Sequence, residues 1–237
     1  MKTHVPVSAE TAYRIRRLIA ERGLRPGDKL PSERELTRIL GVSRTSIRSA
    51  LKELEATGIT EISAARGTFV AQDTSRGFVS SMQGWFEANR LSMVELIEFR
   101  RALEPAIASA AAVHRTQDDL ENLAGHIEMM RNAQRSNNSP SYSTADNAFH
   151  RQIAAASKNR LFVIMTDATG ETLRVYREAA ARLGRAMLKR SLQDHEMIYT
   201  AIAEGSPDSA RDAMLRHIVE TVVDFHIVSR EDLRQIQ

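Results

Sequence analysis

Two short helices separated by a glycine turn are written into residues 31 to 58, and they constrain the fold more than any other feature of the chain. Ser32 is followed three residues later by Glu35, a capping box that satisfies orphan N–H groups at a helix start. The helix is expected to bury Leu36, Ile39 and Leu40, and Gly41 stops it. Ser43 then caps a second helix with Ile47, Ala50, Leu51 and Leu54 at helical spacing, ended by Gly58. A helix, a Gly-containing turn and a second helix make a helix-turn-helix. The second helix opens with Arg44, Thr45, Ser46 and Arg48 on its polar face, from which a recognition helix reaches base edges and phosphates. Beyond Gly58, Ile59 to Ile62 and Thr68 to Val70 read as short strands around Ala65-Arg66-Gly67. The hairpin tip carries a cation, as a minor-groove wing does. The plainer alternative is a helical hairpin whose arginines only solvate a surface.

Composition narrows what such a module belongs to. The 237 residues suit one large or two ordinary domains, and 42% hydrophobic residues are ample for packed cores. No apolar stretch approaches the length that spans a bilayer, and Met1 to Ala12 lacks the apolar segment of a signal peptide. The chain has no cysteine, which excludes disulfides and thiolate metal sites. A cytoplasmic protein without a membrane partner is expected. Residues 1 to 75 hold 13 Lys/Arg against 9 Asp/Glu, whereas the remainder holds 20 against 21. The excess positive charge lies with the helix-turn-helix, as phosphate binding requires.

Ahead of the helix pair, Ser8 to Arg22 carries Ala12, Ile15, Leu18 and Ile19 at helical spacing, closed by Gly23 and an Arg-Pro-Gly-Asp turn. Polar residues Gln72 to Gly77 are the linker candidate, followed by a helix from about Phe78 to Asn89 with the single tryptophan, Trp85. After that the pattern is helical throughout. Ser92 with Glu95 opens a helix to Val113 with Pro105 inside it, an expected kink. Thr116 with Asp119 opens another, ending in a loop from Arg135 to Pro140. Further helices are expected over Thr144 to Ser157, Arg160 to Gly184 and Ser191 to Glu204, and from Ser206-Pro207 to Val228. The expected fold is mainly α: a winged helix-turn-helix domain over residues 1 to 75, then an all-α antiparallel bundle of six or seven helices over residues 76 to 237.

Four residues of the bundle carry chemistry. Asp146 and His150, four apart, project from one helix face and can hold one ion between them. His195 shares its face with Leu192, Ile198, Tyr199 and Ile202, and His217 lies beside Met214, Ile218 and Thr221. Three imidazoles and a carboxylate suit a divalent ion such as Zn, Ni or Mn, with positions left open for water or a chelating ligand. A lone histidine on an apolar helix face is more often a hydrogen-bonded core residue, and Asp146 alone reads as a cap or surface charge. Arg100 and Glu104, also four apart, read as a helix-surface ion pair.

These motifs together resemble one family. Leu30 to Leu36, Gly41 to Arg44, Ile47 to Leu51 and Gly67 to Val70 resemble the winged helix-turn-helix of GntR-family transcription regulators. Ala65 stands where that family has a wing glycine, which points to another turn type. The segment from Asp146 to Ile153, followed by Asn159, with His195 and His217 beyond, is similar to the signature of the FCD domain in the FadR branch. Leu96 to Pro105 resembles that domain's opening helix. The resemblance implies a homodimeric regulator, expected to be a repressor and not an enzyme, on double-stranded palindromic operator DNA. Arg34, Arg44, Thr45 and Arg48 would carry recognition, helped by Ser46, Arg66 and Gly67. It also implies a divalent ion on Asp146, His150, His195 and His217, and an effector site with Arg100 and Asn159. The effector class is a small carboxylate metabolite: a sugar acid, hydroxy acid or dicarboxylate. His4, His114, His126 and His226 match nothing in the signature. The alternatives are a direct metal sensor, an acyl-CoA regulator and a metal-dependent hydrolase.

Overall fold

Helix α1 (Val7–Glu21) buries Thr11, Ala12, Ile15 and Leu18, at i, i+1, i+4 and i+7 on one face of an amphipathic helix. Helix α2 (Glu33–Leu40) starts at the Ser32 capping box and stops at Gly41, whose φ of 65° is a left-handed cap that glycine adopts without a Cβ clash. Helix α3 (Arg44–Ala56) starts at Ser43, whose hydroxyl accepts the Ser46 N–H. Ile15, Leu36, Ile47, Ala50, Leu51 and Leu54 join Leu30 and Val70 in one core. Ile39 is not among them. It is 38% exposed and lines a surface cleft with Arg22, Leu24 and Pro31, because so short a helix offers its core little more than Leu36.

Strands β1 (Thr60–Ser63) and β2 (Gly67–Val70) pair antiparallel, with Thr60 opposite Val70 and Ser63 opposite Gly67. The segment before α2 joins their edge: Leu30 N–H donates to the Thr68 carbonyl, and Lys29 bridges Phe69. Gly67 supplies the positive φ of the hairpin, 102°, and among the described residues only Asn137 and Lys158 combine a side chain with positive φ. The turn therefore does not ask Ala65 for a left-handed backbone.

The structure, a computed structural model, describes residues 7–73, 75–89, 92–181 and 185–220. It divides into two compact units, Met1–Gly84 and Trp85–Gln237, with the division inside helix α4 (Ser75–Ala88). Residues 75 to 77, half of the expected linker, are thus helical.

The second unit holds α5 (Met93–His114), α6 (Gln117–Arg135), α7 (Ser139–Ala156), α8 (Arg160–Ala181), α9 (Arg185–Ala203) and a helical stretch over 207–220, α10. Helix α5 runs through Pro105 as one element. Helix α7 begins at Ser139 and not at Thr144, capped by Asn138 with Pro140 in its first turn. A proline there costs nothing, since its missing N–H has no intrahelical acceptor to serve. Helix α9 likewise starts before Ser191, at Arg185. The expected helix ends at Gly184 and Val228 lie outside the described residues.

Helix α7 contacts α5, α6 and α8. Its buried stripe includes Tyr142, Ala145, Asp146, Phe149, His150 and Ile153, so a carboxyl group and an imidazole occupy core positions. Burial of such groups is costly unless they find partners. Among the described residues, no helix is long and apolar enough to cross a membrane.

Candidate metal centre and nucleic-acid interface

Asp146 and His150 from α7, His195 from α9 and His217 from α10 are all buried, and one ligating atom from each lies within 4.8 Å of the others. His195 Nε2 is 3.1 Å from Asp146 Oδ1 and 3.4 Å from His150 Nε2. The His217 ring centre lies 4.3 Å from that of His195 and 5.3 Å from that of His150. Metal–ligand bonds of about 2.0–2.1 Å place neighbouring ligand atoms of an octahedral or tetrahedral ion roughly 2.8–3.4 Å apart. The His195–Asp146 and His195–His150 separations, 3.1 and 3.4 Å, fit that edge length, the four ligand atoms lie within 4.8 Å of one another, and Asp-His₃ is a donor set that first-row divalent ions accept. Phe149 packs edge-on against the His195 ring, with 5.1 Å between centres, and closes one side.

The electrostatics suit the same task. Burial pushes His150 below the ordinary histidine value, against the opposing pull of Glu104. Burial, with His195 adding to it, pushes His217 down to about 3. Both imidazoles are therefore neutral at neutral pH, the form that coordinates an ion. Carboxylates stand behind two of the rings: Glu104 Oε2 is 2.7 Å from His150 Nδ1, a contact bent away from the ideal N–H direction, and Asp194 Oδ2 is 3.9 Å from His217 Nδ1. Such partners orient ligating imidazoles and raise their basicity.

Arg100 belongs to this cluster. It is 3% exposed, donates to Glu104 through Nε and, at 3.2 Å, through Nη2, and its Nη2 lies 3.5 Å from His150 Nε2. The expected i, i+4 pair exists, but it is buried beside a proposed metal ligand and is not a surface pair. Burial alone would raise the Glu104 carboxyl; Arg100 and His150 override it and hold Glu104 well below the usual carboxylate range. Glu104 is the site residue that sequence reasoning missed, having placed it only as a surface partner of Arg100. Asn159 is placed differently. It is exposed, and its Oδ1 accepts the Leu161 N–H, so it caps the start of α8 and is not brought to the cluster. A short polar side chain just before a helix finds its orphan N–H groups first. His114 is exposed, His126 is half-buried, and His4 and His226 lie outside the described residues.

In the first unit Arg34, Arg44, Thr45 and Arg48 are exposed, and Ser46 is half-buried with its hydroxyl 2.9 Å from that of Ser43. Arg44, Thr45 and Ser46 fill the first turn of α3. At the wing, Arg66 donates to Ser63 Oγ at 3.1 Å and its guanidinium lies 5.7 Å from the Phe69 ring centre. A Cβ on Gly67 would meet Lys29 Cε at 3.1 Å. Arg48, expected on the polar face of α3, pairs with Glu33.

Comparison with known proteins agrees with both units. Residues 8–70 match the family described as bacterial regulatory proteins, gntR family, and residues 95–220 match the FCD domain. The chain is 31% identical over 199 residues to the HTH-type transcriptional regulator LutR of Bacillus subtilis (strain 168), covering 82% of this chain and 90% of that protein. It is 28% identical over 232 residues to the Glc operon transcriptional activator of Escherichia coli (strain K12), covering 95% and 91%. The solved structure of Streptococcus agalactiae GntR superposes with a TM-score of 0.67 at 29% identity, covering 91% of this chain and 98% of that one. The chain belongs to the GntR family of bacterial regulatory proteins, with a C-terminal FCD domain. It is a DNA-binding transcription regulator and not an enzyme, which removes the hydrolase alternative.

Proposed function

We propose that this regulator holds one divalent ion (Zn, Ni or Mn) on Asp146, His150, His195 and His217, and that a small organic acid bound there controls its affinity for operator DNA. One observation carries the reading: four buried ligand atoms from three helices within 4.8 Å of one another. When bound, the ion supplies Lewis-acid attraction for a carboxylate. The chain's own residues do the rest. Glu104 and Asp194 steady the His150 and His217 rings. Glu104 occupies the Nε/Nη2 edge of Arg100, and the remaining guanidinium donors face the acid as a charge-assisted hydrogen-bonding partner. A hydroxy acid, sugar acid or dicarboxylate offers both a chelating end and a second polar group, which an acyl-CoA thioester tail does not.

Arg34, Arg44, Thr45 and Arg48, with Ser46, Arg66 and Gly67, carry operator recognition. Two copies related by a two-fold axis read a palindromic duplex in the cytoplasm. Repression is the expected sign, because occupying an operator blocks transcription without any further contact; a promoter–reporter assay reads it directly. The acid changes DNA affinity only by binding the DNA-competent and incompetent arrangements unequally.

A thermal-shift screen of organic acids on metal-loaded full-length protein, followed by operator titration, tests the proposal. A true effector at about a hundred times its dissociation constant stabilises the fold by roughly 2.7 kcal/mol. DNA affinity that follows the metal alone, whatever acid is present, would identify a direct metal sensor instead.

A further inference from the structure

Arg48 lies in the second turn of α3, and its side chain runs back to the first residue of α2. There its Nε–H donates to both oxygens of the Glu33 carboxylate, at 3.0 and 2.9 Å. The pair is open to water, with 69% of the Arg48 side chain and 37% of the Glu33 side chain accessible. Exposed ion pairs contribute little to stability. A carboxylate on a DNA-facing surface also repels phosphates, and so weakens binding to every sequence. A contact that adds little to the fold and opposes general DNA affinity calls for another role.

The geometry supplies one. Glu33 engages Nε and leaves both Nη groups outside the pair, and a two-pronged arginine donor is what matches O6 and N7 of guanine in the major groove. A long side chain held in one rotamer before it meets DNA loses less freedom on binding. A fixed negative charge beside it penalises any duplex that gives the arginine no matching base, which is how specificity is sharpened by repulsion.

We infer that Glu33 is a specificity-determining positioning residue: it presents Arg48 to one guanine in each operator half-site and suppresses binding to unrelated DNA. The inference rests on the reading of Arg48 as a base-contacting residue. The test uses full-length protein and a duplex enriched by the wild type from a randomised pool. Each G·C pair of the half-site is exchanged in turn, and an unrelated duplex of equal length serves as competitor, at several salt concentrations. Arg48→Ala identifies the base pair concerned by losing discrimination there. Glu33→Gln, which keeps the size and removes the charge, is expected to lose roughly tenfold discrimination at that same pair, within the range one bidentate arginine–guanine contact supplies. It should discriminate normally elsewhere and bind the unrelated duplex more tightly than wild type. A Glu33→Gln protein with wild-type discrimination, beside an Arg48→Ala protein that has lost it, overturns the role of Glu33 and leaves that of Arg48 standing. Uniform weakening on all duplexes would mark a structural contact and overturn it too. An Arg48→Ala protein that discriminates every base pair like wild type removes the base reading itself, and the inference with it.

Discussion

Removing the Arg100 side chain is a different experiment from removing a surface arginine. Its partner Glu104 is buried, and Arg100→Ala strands that carboxylate beside His150. Breaking a buried pair by deleting one partner costs about 3–5 kcal/mol, so we expect urea denaturation of Arg100→Ala to show a loss of that order. Arg100→Lys keeps a charge for Glu104 but not the planar fork, and should stay folded while losing most of its response to the acid. Asn159→Ala should behave in the opposite way. It removes a cap from α8, at about 0.5–2 kcal/mol of stability, and leaves acid-dependent operator release or tightening at the wild-type level. A normal thermal midpoint with an abolished response would contradict the capping role. The i, i+4 spacing of Arg100 and Glu104 was legible in the sequence, but their burial was not. Helix α5 is apolar on most sides, so its pattern does not say which polar residues point inward. The family signature gives the position of Asn159 in the chain, and the folded chain adds that this position is a helix cap.

Helix starts were the most readable elements, because a cap is a local arrangement that needs no tertiary context. Ser32, Ser43, Ser92 and Thr116 each accept a backbone N–H from three residues onward in the folded chain. Two other starts were read late: Pro140 looked like the end of a loop and lies in the first turn of α7, where Asn138 accepts the Ser141 N–H, and Ser75 looked like linker and opens α4. Gly77, in the first turn of α4, lies hard against the end of α3. A Cβ there would stand 2.1 Å from the Thr57 carbonyl oxygen, against backbone that has no flexible end to swing aside. Gly77→Ala is usually a gain in helix propensity. Here we expect it to destabilise the first unit by about 1–3 kcal/mol through overpacking, read as a lower melting temperature. An unchanged or higher melting temperature would show that α4 can shift away from Thr57 at no cost.

At the scale of the whole molecule, the order of the two units and their helical and winged character followed from periodicity, caps and turn glycines. The meeting of Asp146, His150, His195 and His217 did not. Spacing puts the first two on one helix face, whereas nothing in the chain between them and His217 states that α9 and α10 bring their imidazoles to the same point. That part rested on family resemblance, and the buried geometry now gives it physical content: three rings and a carboxylate with ligand atoms within 4.8 Å of one another, two of the rings kept neutral by burial. Metal binding by such a set is folding free energy, because the unfolded chain has no assembled site. The direct test is elemental analysis of full-length protein loaded separately with Zn, Ni and Mn and freed of excess ion. It should be run beside His195→Ala, with circular dichroism confirming that both are helical. The expected result is one tightly held ion per wild-type chain for at least one of these metals, a higher melting temperature on loading, and loss of both in His195→Ala. Wild-type protein that retains none of the three ions, while folded, would contradict the metal centre outright.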